Sequence, residues 1–377
     1  LIDTSGSMSP PNKLPLLKEG MKMLVNNLGE NDRVAIVVYA GSTGLVLDST
    51  PAVEKERIIA AMERLRAGGS TAGGAGIELA YRVARDNFIS EGVNRVILAT
   101  DGDFNVGVSS HDGLQKLIEA KRRSGVFLSV LGFGTGNIQD SKMELLANKG
   151  NGNYFYIDSR REAGKVLVRQ MNATLVTIAK DVKIQVEFNP YFVSSYRLIG
   201  YENRKLAARD FDDDTKDAGE IGAGHQVTAL YELVPRGAAG KFDGVDLKYA
   251  PEQDEPPAGE AVNTGEILTL KLRYKQPDGE KSKLLAFALP RTALDAGEMD
   301  ADYRWAAAVA AFGQILRESP HVKNMSLAQV KALAAEAAGE DEFGYRAEFI
   351  RLLDRAAALI HNDRPATDKG YPVWRYR

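Results

Sequence analysis

Residues 1–8 read LIDTSGSM, with an oxygen-bearing side chain at every second position from Asp3 to Ser7. An apolar pair runs into Asp3-Thr4-Ser5-Gly6-Ser7, as if a strand ended in a loop that gathers hard donors for a hard cation. Asp and Ser also cap helices singly, so the meaning of the stretch depends on what the rest of the chain brings to it. A central strand usually runs to about five or six residues, yet only Leu1 and Ile2 precede Asp3. The strand is therefore expected to begin upstream of Leu1, where a signal peptide or lipid anchor would also sit.

Outward from this stretch, strand-like and helix-like patterns alternate. RVAIVVYA (33–40), LVLDS (45–49), NRVILATDG (94–102), VFLSVLGFG (126–134) and NYFYI (153–157) are short β-branched or aromatic runs bounded by turn residues. Amphipathic stretches such as GLQKLIEAKRRSG separate them, with Leu114, Leu117 and Ile118 at helical spacing. Strands alternating with helices predict βαβ units and a doubly wound, mostly parallel α/β sheet covered on both faces. This first domain is expected over residues 1–180, its N-terminal strand truncated, and REAGKVLVRQMNATLVTIA (161–179) should close it as a long helix.

After Lys180 the periodicity changes to polar–apolar alternation without helices, as in DVKIQVEFNP and EILTLKLRYKQP. An antiparallel β-sandwich region is expected over 181–292. The acidic 208–224 and the Pro/Glu-rich 250–265 interrupt it as flexible-looking pieces. Helical periodicity returns over 293–377, with Ser326 and Gln329 set as a capping box. The stripe Trp305, Phe312, Ile315 and Leu316 reads as core.

Composition excludes several functions. The chain of 377 residues has no cysteine, which rules out thiol catalysis, disulfides and cysteine-held zinc. A net charge of −3 and no Lys/Arg cluster give no case for nucleic acid. No apolar run approaches the roughly 18 residues of a membrane span. The four histidines show no ligand spacing. The acidic run from Asp210 fails as an EF-hand loop, because Thr215 and Ile221 stand where Gly and Glu are required. It reads instead as a solvated loop or an inter-domain contact.

Two other segments are expected at the edge where Asp3 lies. ILATDG sets Asp101 just past another strand, and RAGGSTAGGAG is a Gly-rich turn with Ser70 and Thr71 at its tip. Open parallel sheets bind ligands beyond the carboxyl ends of their strands. Two carboxylates among uncharged hydroxyls suit Mg²⁺, which takes six oxygens and only one or two carboxylates, with Mn²⁺ and Ca²⁺ as alternatives. Ser5, Ser7 and Thr71 would ligate directly, and Asp3 and Asp101 directly or through water.

The elements DTSGSM, GGST and TDG resemble the von Willebrand factor type A (VWA) domain and its metal-ion-dependent adhesion site, D-x-S-x-S followed by a Thr and then an Asp. The match falls on Asp3, Ser5, Ser7, Thr71 and Asp101. TDGDFNVGVSS and the segment from Glu202 to Pro235 further resemble bacterial proteins of this class that carry a dedicated C-terminal extension. Inter-alpha-trypsin inhibitor heavy chains are similar in layout. The resemblance implies a Rossmann-like sheet, a cation at these five residues and a protein partner that presents Asp or Glu to it. It also implies a setting in the bacterial cell envelope, periplasmic or at the surface, rather than the cytoplasm. Gly69, Ser70, Asp103, Phe104 and Asn105 would rim the contact, with the loops at Ser42–Gly44 and Thr135–Gln139 as further candidates.

A non-enzymatic binding module is thus the favoured expectation, with no catalytic residues. The alternatives are a metal-dependent phosphohydrolase and a scaffold whose metal is purely structural. Phosphotransferases of strand-end design add a second carboxylate two residues on and a lysine. Ser5 holds that position here, and no lysine stands in the three loops.

Overall fold

The computed structural model describes residues 1–69, 73–102, 111–136, 138–170, 175–201, 205–216, 218–237, 265–292, 299–322 and 325–362. Its first sheet contains β1 (Ile2–Asp3), β2 (Arg33–Tyr39), β3 (Thr43–Pro51), β4 (Asn94–Thr100), β5 (Val126–Phe133) and β6 (Tyr154–Ile157). They are hydrogen-bonded in the order β3-β2-β1-β4-β5-β6. All neighbours run parallel except β2 and β3, which pair antiparallel.

Helices cover both faces, as the near-continuous apolar strands require. On one side α1 (Leu14–Asn27), α2 (Lys55–Glu63) and α6 (Arg160–Gly164) bury Leu17, Leu24, Ile58 and Ala163 against Ile36, Ala99 and Leu131. On the other, α3 (Gly73–Asp86), α4 (His111–Arg122) and α5 (Asp140–Lys149) bury Ile77, Ile118 and Met143 against Val37, Leu98 and Val130. Successive strand residues serve opposite cores, as a period of two dictates. Each fully buried Leu or Ile contributes about 1.5–3 kcal/mol relative to exposure.

The topology matters for function. β1 lies between β2 and β4; the chain goes from β1 to β2 on one side and later enters β4 on the other. The connections leaving the carboxyl ends of β1 and β4 therefore diverge and open a crevice at this switch point. Asp3 ends β1, and Asp101 follows the last residue of β4.

The helix expected over 161–179 does not reach its expected end: the chain is helical through α6 and a π-helical turn over Lys165–Arg169, is helical again at Leu175, and enters a strand at Thr177, with 171–174 outside the described residues. Val176, Thr177 and Ile178 are β-branched and favour extended backbone.

That strand, β7 (Thr177–Phe188), begins the second β region, with β8 (Val193–Ile199), β9 (Gly219–Gly222), β10 (Leu230–Pro235), β11 (Glu266–Lys275) and β12 (Lys283–Pro290). They form a four-stranded sheet, β12-β11-β7-β9, and a two-stranded one, β10-β8. The pairs β7–β9 and β8–β10 are antiparallel. Phe188, Val193 and Ile267 share a core with Tyr231 and Leu233.

The acidic segment 208–224 is more structured than expected. It holds a 3₁₀ turn at Ala208–Asp210 and the whole of β9. Buried lysines secure it: Lys275 Nζ donates to Asp181 Oδ2 at 2.7 Å and to the Asp214 carbonyl at 2.8 Å. Lys183 Nζ donates to the Asp210 carbonyl at 3.2 Å. The Pro/Glu-rich 250–264 lies outside the described residues.

The C-terminal helices are α7 (Ala301–Leu316), α8 (Leu327–Glu336) and α9 (Tyr345–Asn362). Asp300 caps α7 through Tyr303 N, and Ser326 and Gln329 form both halves of the expected capping box. Ala308, Val330, Ala334 and Leu353 make their core, with Trp305, Phe312 and Ile315 against it. Leu316, expected in that core, is 56% exposed, since the helix ends there.

By compactness the chain divides into two units, one of residues 1–185, 206–226 and 271–286, the other of 186–205, 227–270 and 287–377.

Candidate metal centre

The centre is built from the ends of β1 and β4. Asp3 is fully buried; its Oδ1 accepts the Ser5 amide at 2.9 Å and its Oδ2 accepts the Thr100 hydroxyl at 3.0 Å. The Tyr39 hydroxyl donates to the same Oδ2 at 3.3 Å. Burial raises the Asp3 pKa; the hydrogen bonds from Ser5 oppose it, nearby Asp101 adds to the rise, and Thr100 opposes. These contacts aim the carboxylate and tie β1 to β4.

Ser5 and Ser7 lie on the turn that follows. Their hydroxyls are 3.0 Å apart. Ser5 occupies the N-cap position of the short 3₁₀ helix Gly6–Met8, yet its side chain caps nothing. Simple helix capping therefore does not account for this serine.

Main-chain hydrogen bonds bring the Gly-rich turn to the first loop. The Gly68 amide donates to the Thr4 carbonyl at 2.8 Å, and the Gly6 amide to the Gly69 carbonyl at 3.1 Å. Gly69 is exposed with φ +81°, and a Cβ there would lie 2.9 Å from the Gly41 amide nitrogen. Only glycine meets both conditions. Ser70, Thr71, Asp103, Phe104 and Asn105 lie outside the described residues.

Asp101 is fully buried and meets a partner absent from the sequence reading. Lys13 Nζ donates to its Oδ2 at 2.9 Å, and Lys13 is itself only 6% exposed. Lys13 stands at the N-cap of α1, outside the three loops but adjacent to them in space. Its stem lies over Gly134, at the end of β5: a Cβ on Gly134 would fall 2.2 Å from Lys13 Cε. A sequence signal existed, because a cation at a helix N-terminus opposes the macrodipole and so needs a compensating anion.

Among the described residues no group of three or more His, Asp or Glu side chains lies together. The donor set that is present has another chemistry: two buried carboxylates, one ammonium and a pair of facing hydroxyls. With both carboxylates ionised this leaves a negative, oxygen-rich cluster, which fits a hard divalent cation and no soft one.

Comparison with known proteins agrees with the fold. Residues 1–170 match the von Willebrand factor type A domain model, and residues 173–359 match the model described as "Uncharacterized protein YfbK, C-terminal". The chain therefore carries a VWA domain followed by a C-terminal region of the YfbK family. Over 356 residues it is 47% identical to YfbK of Escherichia coli (strain K12), covering 94% of this chain and 60% of YfbK. The chain thus spans about three-fifths of that relative's length. Rat inter-alpha-trypsin inhibitor heavy chain H3 is 29% identical, over 42% of this chain and 19% of its own. Among solved structures, a von Willebrand factor type A protein from Catenulispora acidiphila covers 93% of this chain and 80% of its own, with 16% identity and a TM-score of 0.48. Proximal thread matrix protein 1 of mussel byssus, solved with a zinc-occupied MIDAS motif, is 25% identical over 44% of this chain and 42% of its own, with a TM-score of 0.36.

Proposed function

We propose that this chain is a divalent-metal-dependent protein-binding module. Asp3, Ser5, Ser7, Thr71 and Asp101 would hold the ion, Mg²⁺ in preference to Mn²⁺ or Ca²⁺. A bound ion would supply Lewis acidity toward a carboxylate presented by an Asp or Glu of a partner protein. The residues of this chain do the rest. Asp3 and Asp101 provide charge, the two serines provide neutral donors, and Thr100 and Tyr39 orient Asp3. Gly69, Ser70, Asp103, Phe104 and Asn105 would rim the contact.

The observation that carries this reading is the pairing of buried Asp3 and Asp101 at the switch point with a Ser5 hydroxyl that serves no cap. A VWA domain is the setting in which such a cluster is used for metal-dependent contact, and a cell-envelope location goes with the same reading. Capture of partner proteins in Mg²⁺ and in chelator tests it. Binding should require the metal and should vanish in Asp101→Asn. Capture that persists in chelator would refute the adhesion mechanism.

A second reading has one observation in its favour. The Lys13–Asp101 contact supplies the lysine that a strand-end phosphohydrolase needs. Ser5 still occupies the position of the second carboxylate, and hydrolysis of p-nitrophenyl phosphate with Mg²⁺ is expected to stay at background. Turnover that Asp101→Asn abolishes would favour the enzyme.

A further inference from the structure

Lys13 brings a positive charge into the cluster proposed to hold a cation. Its Nζ is 2.9 Å from Asp101 Oδ2, and the two side chains are 8% and 0% exposed. The placement is built rather than incidental. The stem runs along Gly134, whose φ of +83° and missing Cβ leave room for Cγ, Cδ and Cε. The ammonium is therefore held where a divalent ion would draw on the same carboxylate.

We propose that Lys13 is a resident counter-cation of the metal centre: it holds Asp101 in the metal-free protein and competes with the divalent ion for that carboxylate. The inference rests on the metal-binding reading above. Among the described residues of the cluster, two carboxylates against one ammonium leave one negative charge; a divalent ion turns this into one positive charge. Like charges separated by a few ångströms in a partly desolvated site repel strongly, so Lys13 lowers metal affinity. The same charge makes the loaded site more attractive to an acidic side chain. In the metal-free state, Lys13 offsets part of the cost of burying the Asp101 carboxylate. The loops can then keep their arrangement before the metal arrives. A purely structural ion pair would affect stability alone and leave metal affinity unchanged.

Lys13→Met tests this, because it keeps the length of the stem over Gly134 and removes the charge; Lys13→Gln serves if the methionine variant folds poorly. Titration calorimetry with MgCl₂ should show affinity raised by about tenfold or more. The melting temperature should fall in chelator and recover towards wild type at saturating Mg²⁺. Unchanged or weakened affinity in the variant, with wild type still binding Mg²⁺, overturns the competition while leaving the metal reading intact. Absence of Mg²⁺ binding in both proteins overturns the two together. Binding by the variant but not by wild type would be the strongest support.

Discussion

Asp101 is the residue on which the site turns, and its contact with Lys13 changes what a mutation there must do. From sequence, Asp101→Ala is expected to remove metal binding and leave the fold largely intact. The buried partner adds a cost: removing one member of a buried ion pair destabilises by about 3–5 kcal/mol. Denaturation in chelator should show this loss for Asp101→Ala. Ser5→Ala should behave differently. Its hydroxyl caps no helix but bonds to Asp3 and faces Ser7 Oγ, so stability in chelator should fall by no more than about 3 kcal/mol while Mg²⁺ affinity falls, as calorimetry would record. Gly134→Ala probes the stem of Lys13. A positive φ and a Cβ only 2.2 Å from Lys13 Cε should cost about 1–3 kcal/mol, visible as a lowered melting temperature. A Gly134→Ala protein as stable as wild type would contradict the described path of the lysine.

At the scale of elements, much of the first domain was legible. β5 reads as an apolar run interrupted only by the buried Ser129, because both its faces are buried, and the helices follow from their apolar spacing. The positions of Asp3 and Asp101 at the carboxyl ends of strands were legible from the apolar runs that precede them. The contact of Lys13 with Asp101 was not, since five residues separate Lys13 from Ser7 and only the fold returns its ammonium to Asp101. The early end of the helix expected over 161–179 has a similar cause. Its apolar residues fit helical spacing, but the β-branched Val176-Thr177-Ile178 pairs with β9 and adds a strand to a sheet. Arg95 fixes that start, donating from Nε to the Leu175 carbonyl at 3.0 Å and from Nη2 to the Thr177 hydroxyl at 2.8 Å. The acidic segment looked solvated because its ties are remote in sequence. Lys275→Met should therefore leave Asp181 without its cation and the Asp214 carbonyl without its donor. The expected loss is about 3–5 kcal/mol in urea unfolding, and an unchanged midpoint would mean that the loop is not anchored as described.

For the whole molecule, the chain couples a VWA sheet to antiparallel sheets and a small helical core, and no described helix is long and apolar enough to cross a membrane. The crevice between β1 and β4 is where the order of the six-stranded sheet places chemistry, and the metal-binding proposal stands or falls there. A crystal soaked in Mn²⁺ and measured at the manganese absorption edge tests it most directly. The account predicts one anomalous peak with Ser5 Oγ and Ser7 Oγ within about 2.0–2.3 Å, near Asp3, Asp101 and Thr71. A fully soaked crystal with no peak in that crevice, Lys13 still on Asp101 and the hydroxyls of Ser5 and Ser7 facing only solvent would contradict it.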